Sequence, residues 1–155
     1  MTVLQGPLAD RDAWSAVGVC PIEKTMGLVG TKSAILIMRE AYYGTTRFDD
    51  FARRVGITKA ATSARLSELV DAGLLAKQPY REPGQRSRDE YVLTPEGTAF
   101  MPVVLAMFEW GRRHFDDPGL RLRHLDCGAE ATVGVRCAEG HDVPLDELAV
   151  RLVRR

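Results

Sequence analysis

The most regular hydrophobic pattern lies between Phe48 and Gly73, where FDDFARRVGITKAATSARLSELVDAG shows apolar residues at helical spacing twice, with a turn between. Phe48, Phe51, Ala52 and Val55 recur every three or four residues, the stripe of an amphipathic helix, and Gly56 stands where a C-terminal cap is wanted. Thr58 can cap the helix that follows. Ala61, Leu66, Leu69 and Val70 give that helix an inner face, and Gly73 ends it. This leaves Lys59, Thr62, Ser63 and Arg65 for the outer face. Two short helices joined by a tight, Gly-containing turn form a helix-turn-helix, in which the second helix lies in the major groove and its first residues reach base edges. Short hydroxyls let a backbone come close, and long cations reach phosphates or guanine edges.

The flanking patterns complete an architecture. Cys20-Pro21 opens a helix whose apolar residues are Ile22, Met26 and Val29, ending before Gly30. Lys32 to Tyr43 carries Ala34, Ile35, Leu36, Ile37, Met38 and Ala41, which predicts a central core helix broken at Gly44. After Gly73 the period changes. Leu74 to Tyr80 reads as extended, REPGQRSR is a polar turn around Pro83-Gly84, and Asp89 to Leu93 alternates polar and apolar. The result is a two-stranded hairpin with Arg81, Arg86 and Arg88 near its tip, where a winged helix contacts backbone phosphates or an adjacent minor groove. Thr94-Pro95 then starts a helix reaching about Phe115, with Phe100, Val103, Val104, Met107, Phe108 and Trp110. That is more apolar surface than a small domain covers, and it predicts a dimer seam. A two-fold dimer fits half-sites about 34–36 Å apart on the duplex.

Both ends are less regular. In residues 1–19, an N-terminal arm, Trp14, Val17 and Val19 suggest a short helix. Pro118-Gly119 marks a boundary, beyond which LRLRHL, ATVGVRC and LAVRLV read as short strands around turns, a small β-rich subdomain over residues 117–155. The fold class expected is mainly α with a small β-wing (α+β): a winged helix-turn-helix over residues 20–116, dimerised through terminal helices, plus that appendage.

Charge sharpens the functional expectation. The chain of 155 residues is formally neutral, yet Arg53, Arg54, Lys59 and Arg65 fall in a stretch to Leu66 that holds no acid. A cationic patch on a neutral protein suits steering toward phosphate, while a solvated helical face would also be charged. The N-terminal segment has no secretory pattern, and the strongest apolar run, Ala34 to Met38, is too short to span a bilayer, so a cytoplasmic protein without membrane contact is expected. Three cysteines argue against a disulfide framework. No phosphate-binding glycine loop and no nucleophile–base ordering is present, so neither enzymatic activity nor a cofactor is expected. His124, Cys127, Cys137 and His141 have ligand types that suit zinc in an unusual spacing, equally readable as a degenerate ribbon packed without metal, and no metal is expected there.

Cys20-Pro21-Ile22 with Gly30 and Lys32, Ile37 with Glu40, Arg47-Phe48, Gly56-Ile57, Arg65-Leu66 with Glu68-Leu69, Gly73-Leu74, Tyr91 with Leu93-Thr94-Pro95 and Gly97, and Trp110-Gly111 together carry a resemblance. Over residues 20 to about 112 the chain resembles the HxlR-type winged helix-turn-helix transcriptional regulators, relatives of the MarR group. The resemblance implies a homodimeric regulator of double-stranded DNA, with Lys59, Thr62, Ser63 and Arg65 as reader positions, the hairpin as wing, and terminal helices forming the dimer. Many members have a tryptophan where this chain has Ser33, so their effectors are not carried over. In some relatives the cysteine at the position of Cys20 senses oxidants through an intersubunit disulfide. Cys20 stands at a helix start with Lys24 one turn on, surroundings that favour a thiolate, although a small buried cap residue would look the same. The expected function is a repressor at a palindromic operator. The rivals are a winged helix that binds protein rather than DNA, and a thiol or zinc enzyme built on the tail.

Overall fold

The computed structural model describes residues 2–12, 15, 17–81, 84, 87–116 and 118–152. Five helices and one hairpin form its centre: α1 (Pro21–Val29), α2 (Lys32–Tyr42), α3 (Phe48–Val55), α4 (Lys59–Asp71), β2 (Leu75–Tyr80), β3 (Arg88–Leu93) and α5 (Pro95–His114). A strand lies near each end, β1 (Val3–Gln5) and β4 (Ala149–Arg151), beside short 3-10 turns at Gly6–Ala9 and Leu145–Glu147.

Helix α2 is the core helix that its composition predicts. Ala34, Ile37, Met38 and Ala41 are buried, packed with Phe51 of α3, Leu66 and Leu69 of α4, Leu75 of β2, and Met101 and Val104 of α5. Thr31 caps the start of α2 by accepting the Ala34 N–H at 3.2 Å. The α3–α4 corner follows from local chemistry. Gly56 takes φ +73°, a left-handed cap that L side chains rarely adopt, and the Thr58 hydroxyl accepts the Ala61 N–H at 3.2 Å.

The hairpin pairs β2 and β3 antiparallel from Leu75 opposite Leu93 to Tyr80 opposite Arg88. On its outer edge the Tyr91 N–H donates to the Thr46 carbonyl at 2.8 Å, and Arg47 bridges to Glu90. The segment before α3 therefore holds the wing against the helices. Helix α5 starts with the Thr94 hydroxyl donating to the Gly73 carbonyl at 2.6 Å and accepting the Gly97 N–H at 2.9 Å. A Cβ at Gly97 would lie 2.0 Å from the Leu74 carbonyl oxygen, so only glycine permits this crossing. Helix α5 runs unbroken through Pro102.

The ends depart from the sequence expectation. Trp14 lies outside the described residues. Val17 and Val19 sit exposed in a turn rather than in a helix. The arm instead begins with β1, which pairs in parallel with β4, Val3 opposite Ala149, and its Leu8 is buried. Beyond α5, LRLRHL and ATVGVRC form no named strand. Single bridges join Arg123 to Glu130 and Arg136 to Asp142, and among the described residues beyond α5 only 149–151 form a strand. Alternation alone did not suffice there, since no second apolar layer covers those residues. Glu109, a buried carboxylate of α5, accepts the Val133 N–H at 2.8 Å and pairs with Arg113, while Arg112 pairs with Glu130 at 2.9 Å. These bonds latch the tail onto α5. Among the described residues no helix is long and apolar enough to cross a membrane.

Candidate nucleic-acid interface

Helix α4 turns Leu66 and Leu69 inward against α2 and α3. Counting back four from Leu66 reaches Thr62, which is fully buried, its hydroxyl donating to the Thr58 carbonyl at 2.9 Å. The expectation that Thr62 reads DNA is therefore corrected. It belongs to the packed stripe 62, 66, 69, and its residue type misled where its spacing did not. Lys59 and Ser63 are exposed on the outer face, whereas Arg65 is half-buried. Ala60, Ala64 and Ser67 share that face and were passed over in the sequence; their positions relative to Leu66 place them there.

The stretch that lacks acids in sequence does not lack them in space. Lys59 Nζ lies 2.8 Å from Asp49 Oδ1 at the start of α3, and Arg53 pairs with Asp50. Arg65 pairs with Glu68, and Arg54 lies 4.0 Å from the buried Glu40. The cations expected to form a bare positive patch are each paired with a carboxylate. The hydrogen bond and charge of Lys59 hold the Asp49 carboxyl below its usual range, and the charge of Arg88 adds to the shift. Lys59, the first residue of α4, contacts this carboxylate directly, whereas Arg88, the first residue of β3, acts on it only through its charge and most weakly of these influences.

Arg81 and Arg88 are exposed on the wing; Arg86 lies outside the described residues. Arg47, which enters the sequence reading only through the family pattern, has a positioning role there. Its guanidinium carbon lies 3.0 Å from the Tyr80 ring centroid, and Nη1 lies 3.6 Å from Glu90 Oε2. Nη1 is buried and makes no hydrogen bond, so it meets Glu90 of β3 through charge, while the guanidinium lies over the Tyr80 ring of β2. No spacing signal in the sequence marks such a residue.

The cysteines are free thiols. Cys20 is partly exposed at the N-cap of α1 and makes no side-chain capping bond. His124 Nδ1 lies 3.2 Å from Cys127 Sγ, and the Cys137 N–H donates to the His141 carbonyl at 3.0 Å. Among the described residues no three His, Cys, Asp or Glu side chains group as metal ligands, so His124, Cys127, Cys137 and His141 do not come together as one set.

Comparison with known proteins agrees with this geometry. The chain is 34% identical over 119 residues to the HTH-type transcriptional regulator Rv3095 of Mycobacterium tuberculosis, covering 75% of this chain and 74% of that one. Its fold is similar to that of PA1607, described as a candidate transcription factor, with TM-score 0.74 and 30% identity over 90% of this chain and 98% of that one. It is also similar to the redox regulator HypR in its oxidized form, with TM-score 0.57 and 32% identity over 63% of this chain and 99% of HypR. The pattern of the HxlR-like helix-turn-helix family matches residues 28–118. With its winged helix-turn-helix and its relatives among transcriptional regulators, this chain belongs to the HxlR-like family of DNA-binding regulators.

Proposed function

We propose that the protein acts as a homodimeric repressor at a palindromic operator, with α4 in the major groove and the wing on the flanking backbone. The observation that carries this reading is the winged helix-turn-helix itself, with Lys59 and Ser63 exposed near the start of α4 and Arg81 and Arg88 exposed on the wing. In this role Lys59 and Arg65 reach phosphates or guanine edges, Ser63 sits at a base edge, and Arg81 and Arg88 engage phosphates. Arg86, which the sequence places at the wing tip, is assigned the same task. The division into an arm (1–19), a DNA-binding and dimerisation unit (20–116) and an appendage (117–155) accompanies the proposal.

Support for the dimer comes from exposed apolar side chains. Helix α1 leaves Ile22, Met26 and Leu28 in solvent, and α5 leaves Val103, Met107 and Trp110. A second copy would cover such faces. Sensing is assigned to Cys20, supported by its accessibility at the start of α1 and by the likeness to a redox regulator.

A fluorescence anisotropy titration with DNA from the protein's own upstream region, repeated across salt concentrations and with diamide, tests the reading. Tight binding that weakens steeply with salt is expected, together with its loss in Arg65→Ala. Wild-type operator affinity in Arg65→Ala would sink the assignment of α4 as reader. Diamide is expected to release wild type and not Cys20→Ser; equal response of the two removes the thiol switch and leaves the regulator.

A further inference from the structure

We infer that Asp49 is a built-in counter-charge that limits the affinity of this surface for arbitrary DNA. The inference rests on the DNA-binding reading and concerns how selective that surface is. Each cation of α3 and α4 that could meet phosphate already has a carboxylate partner: Arg53 has Asp50, Arg54 has Glu40, Lys59 has Asp49 and Arg65 has Glu68. A duplex must therefore take these cations over from the protein's own acids.

Among these pairs Asp49 with Lys59 is the most open. Their side chains are 67% and 77% exposed, whereas Glu40 is buried and serves the interior. Asp49 contacts the first cation of α4 directly and feels the charge of Arg88 near the wing tip, so it lies close to where the phosphate backbone passes if both elements bind one duplex. A carboxylate there repels phosphate and keeps Lys59 occupied until a closely fitting site displaces it. Electrostatic attraction to phosphate supplies nearly all non-specific binding, so a neutralised cation subtracts from that term first.

The test uses the full chain and a short duplex of scrambled sequence, with affinity measured across a series of salt concentrations. Asp49→Asn frees Lys59 in both protomers. It is expected to tighten binding to scrambled DNA roughly tenfold and to steepen the salt slope by about 2, at about 0.9 per added phosphate contact. Asp146→Asn, which changes net charge equally but lies in the appendage, is expected to leave both quantities at wild-type values. Asp49→Ser removes the charge while keeping a residue suited to a helix start, and should match Asp49→Asn. An unchanged slope in both Asp49 variants, or an equal gain in Asp146→Asn, would overturn the inference while operator binding by wild type still upheld the regulator. Failure of wild type to bind any duplex would instead overturn the DNA reading, and this inference with it.

Discussion

Two regions of the molecule are held by different forces. Residues from α1 through α5 enclose a continuous apolar core, in which Ile37, Met38, Phe51 and Leu66 are wholly buried. Beyond α5 none of the described residues is buried. There, shape comes from turns such as Gly128 N–H to the His124 carbonyl, and from the latch at Glu109 and the pairing of β1 with β4. A region of the first kind loses its structure all at once, because each buried side chain depends on several elements. The second kind can open alone, since breaking a few hydrogen bonds exposes little apolar surface.

The largest effect should come from the core. Leu66 is fully buried among α2, α3 and α4, so Leu66→Ala is expected to cost about 3 kcal/mol and to lower the melting of the whole helical unit. Thermal unfolding followed by helix signal and by near-ultraviolet signal should shift together. A loss confined to one signal would break the picture of one cooperative core. Glu109→Ala should act differently. It leaves the Val133 N–H without its acceptor and frees Arg113, and a bond to a charged group is worth about 2 kcal/mol. Amide exchange over residues 118–152 is expected to rise roughly thirtyfold while exchange in α2 and α4 changes little. Equal acceleration in both regions would show that the tail and core unfold as one.

This contrast also governs what could be read beforehand. Burial imposes a period, and the starts and ends of α2, α3 and α4 were legible within about a residue because Ile37, Phe51 and Leu66 lie on inward stripes punctuated by Gly44, Gly56 and Gly73. Thr62 was misplaced by weighing its hydroxyl above its register. Glu40 and Asp49 were illegible as partners of Arg54 and Lys59 because they come from neighbouring helices, and no linear window shows an ion pair made across a corner. The tail resisted for a further reason. The partner of β4 is β1 at the other end of the chain, and the alternation in LRLRHL meets no layer that would turn it into a buried strand.

Arg47 lies between the two regimes, since it is partly buried yet acts through charge. Arg47→Ala removes the guanidinium from the Tyr80 ring and from Glu90, for an expected loss of about 1 kcal/mol. Most of that change should appear as faster exchange in β2 and β3 rather than as a lower melting point. A wing as protected as in wild type would show that backbone pairing of Thr46 with Tyr91 holds it unaided.

The smallest effect is also the most local. Asp49 is exposed, and its carboxyl is held below the ordinary value of 3.8 first by Lys59. A carboxyl whose pKa is depressed on folding contributes its stabilisation above the unfolded pKa, and loses it as pH falls through the folded value. The Lys59–Asp49 pair should therefore be intact at neutral pH and should part only in acid, below the usual titration of an aspartate. Lys59→Gln removes the first cause and leaves the weaker influence of Arg88, so the Asp49 carboxyl should titrate closer to its ordinary value when followed by carbon NMR. Arg88→Gln should move it less. If instead Arg88→Gln produced the larger return, the wing would be the principal partner of Asp49. The acid would then be tied to the hairpin, and the reader helix would carry its first cation free.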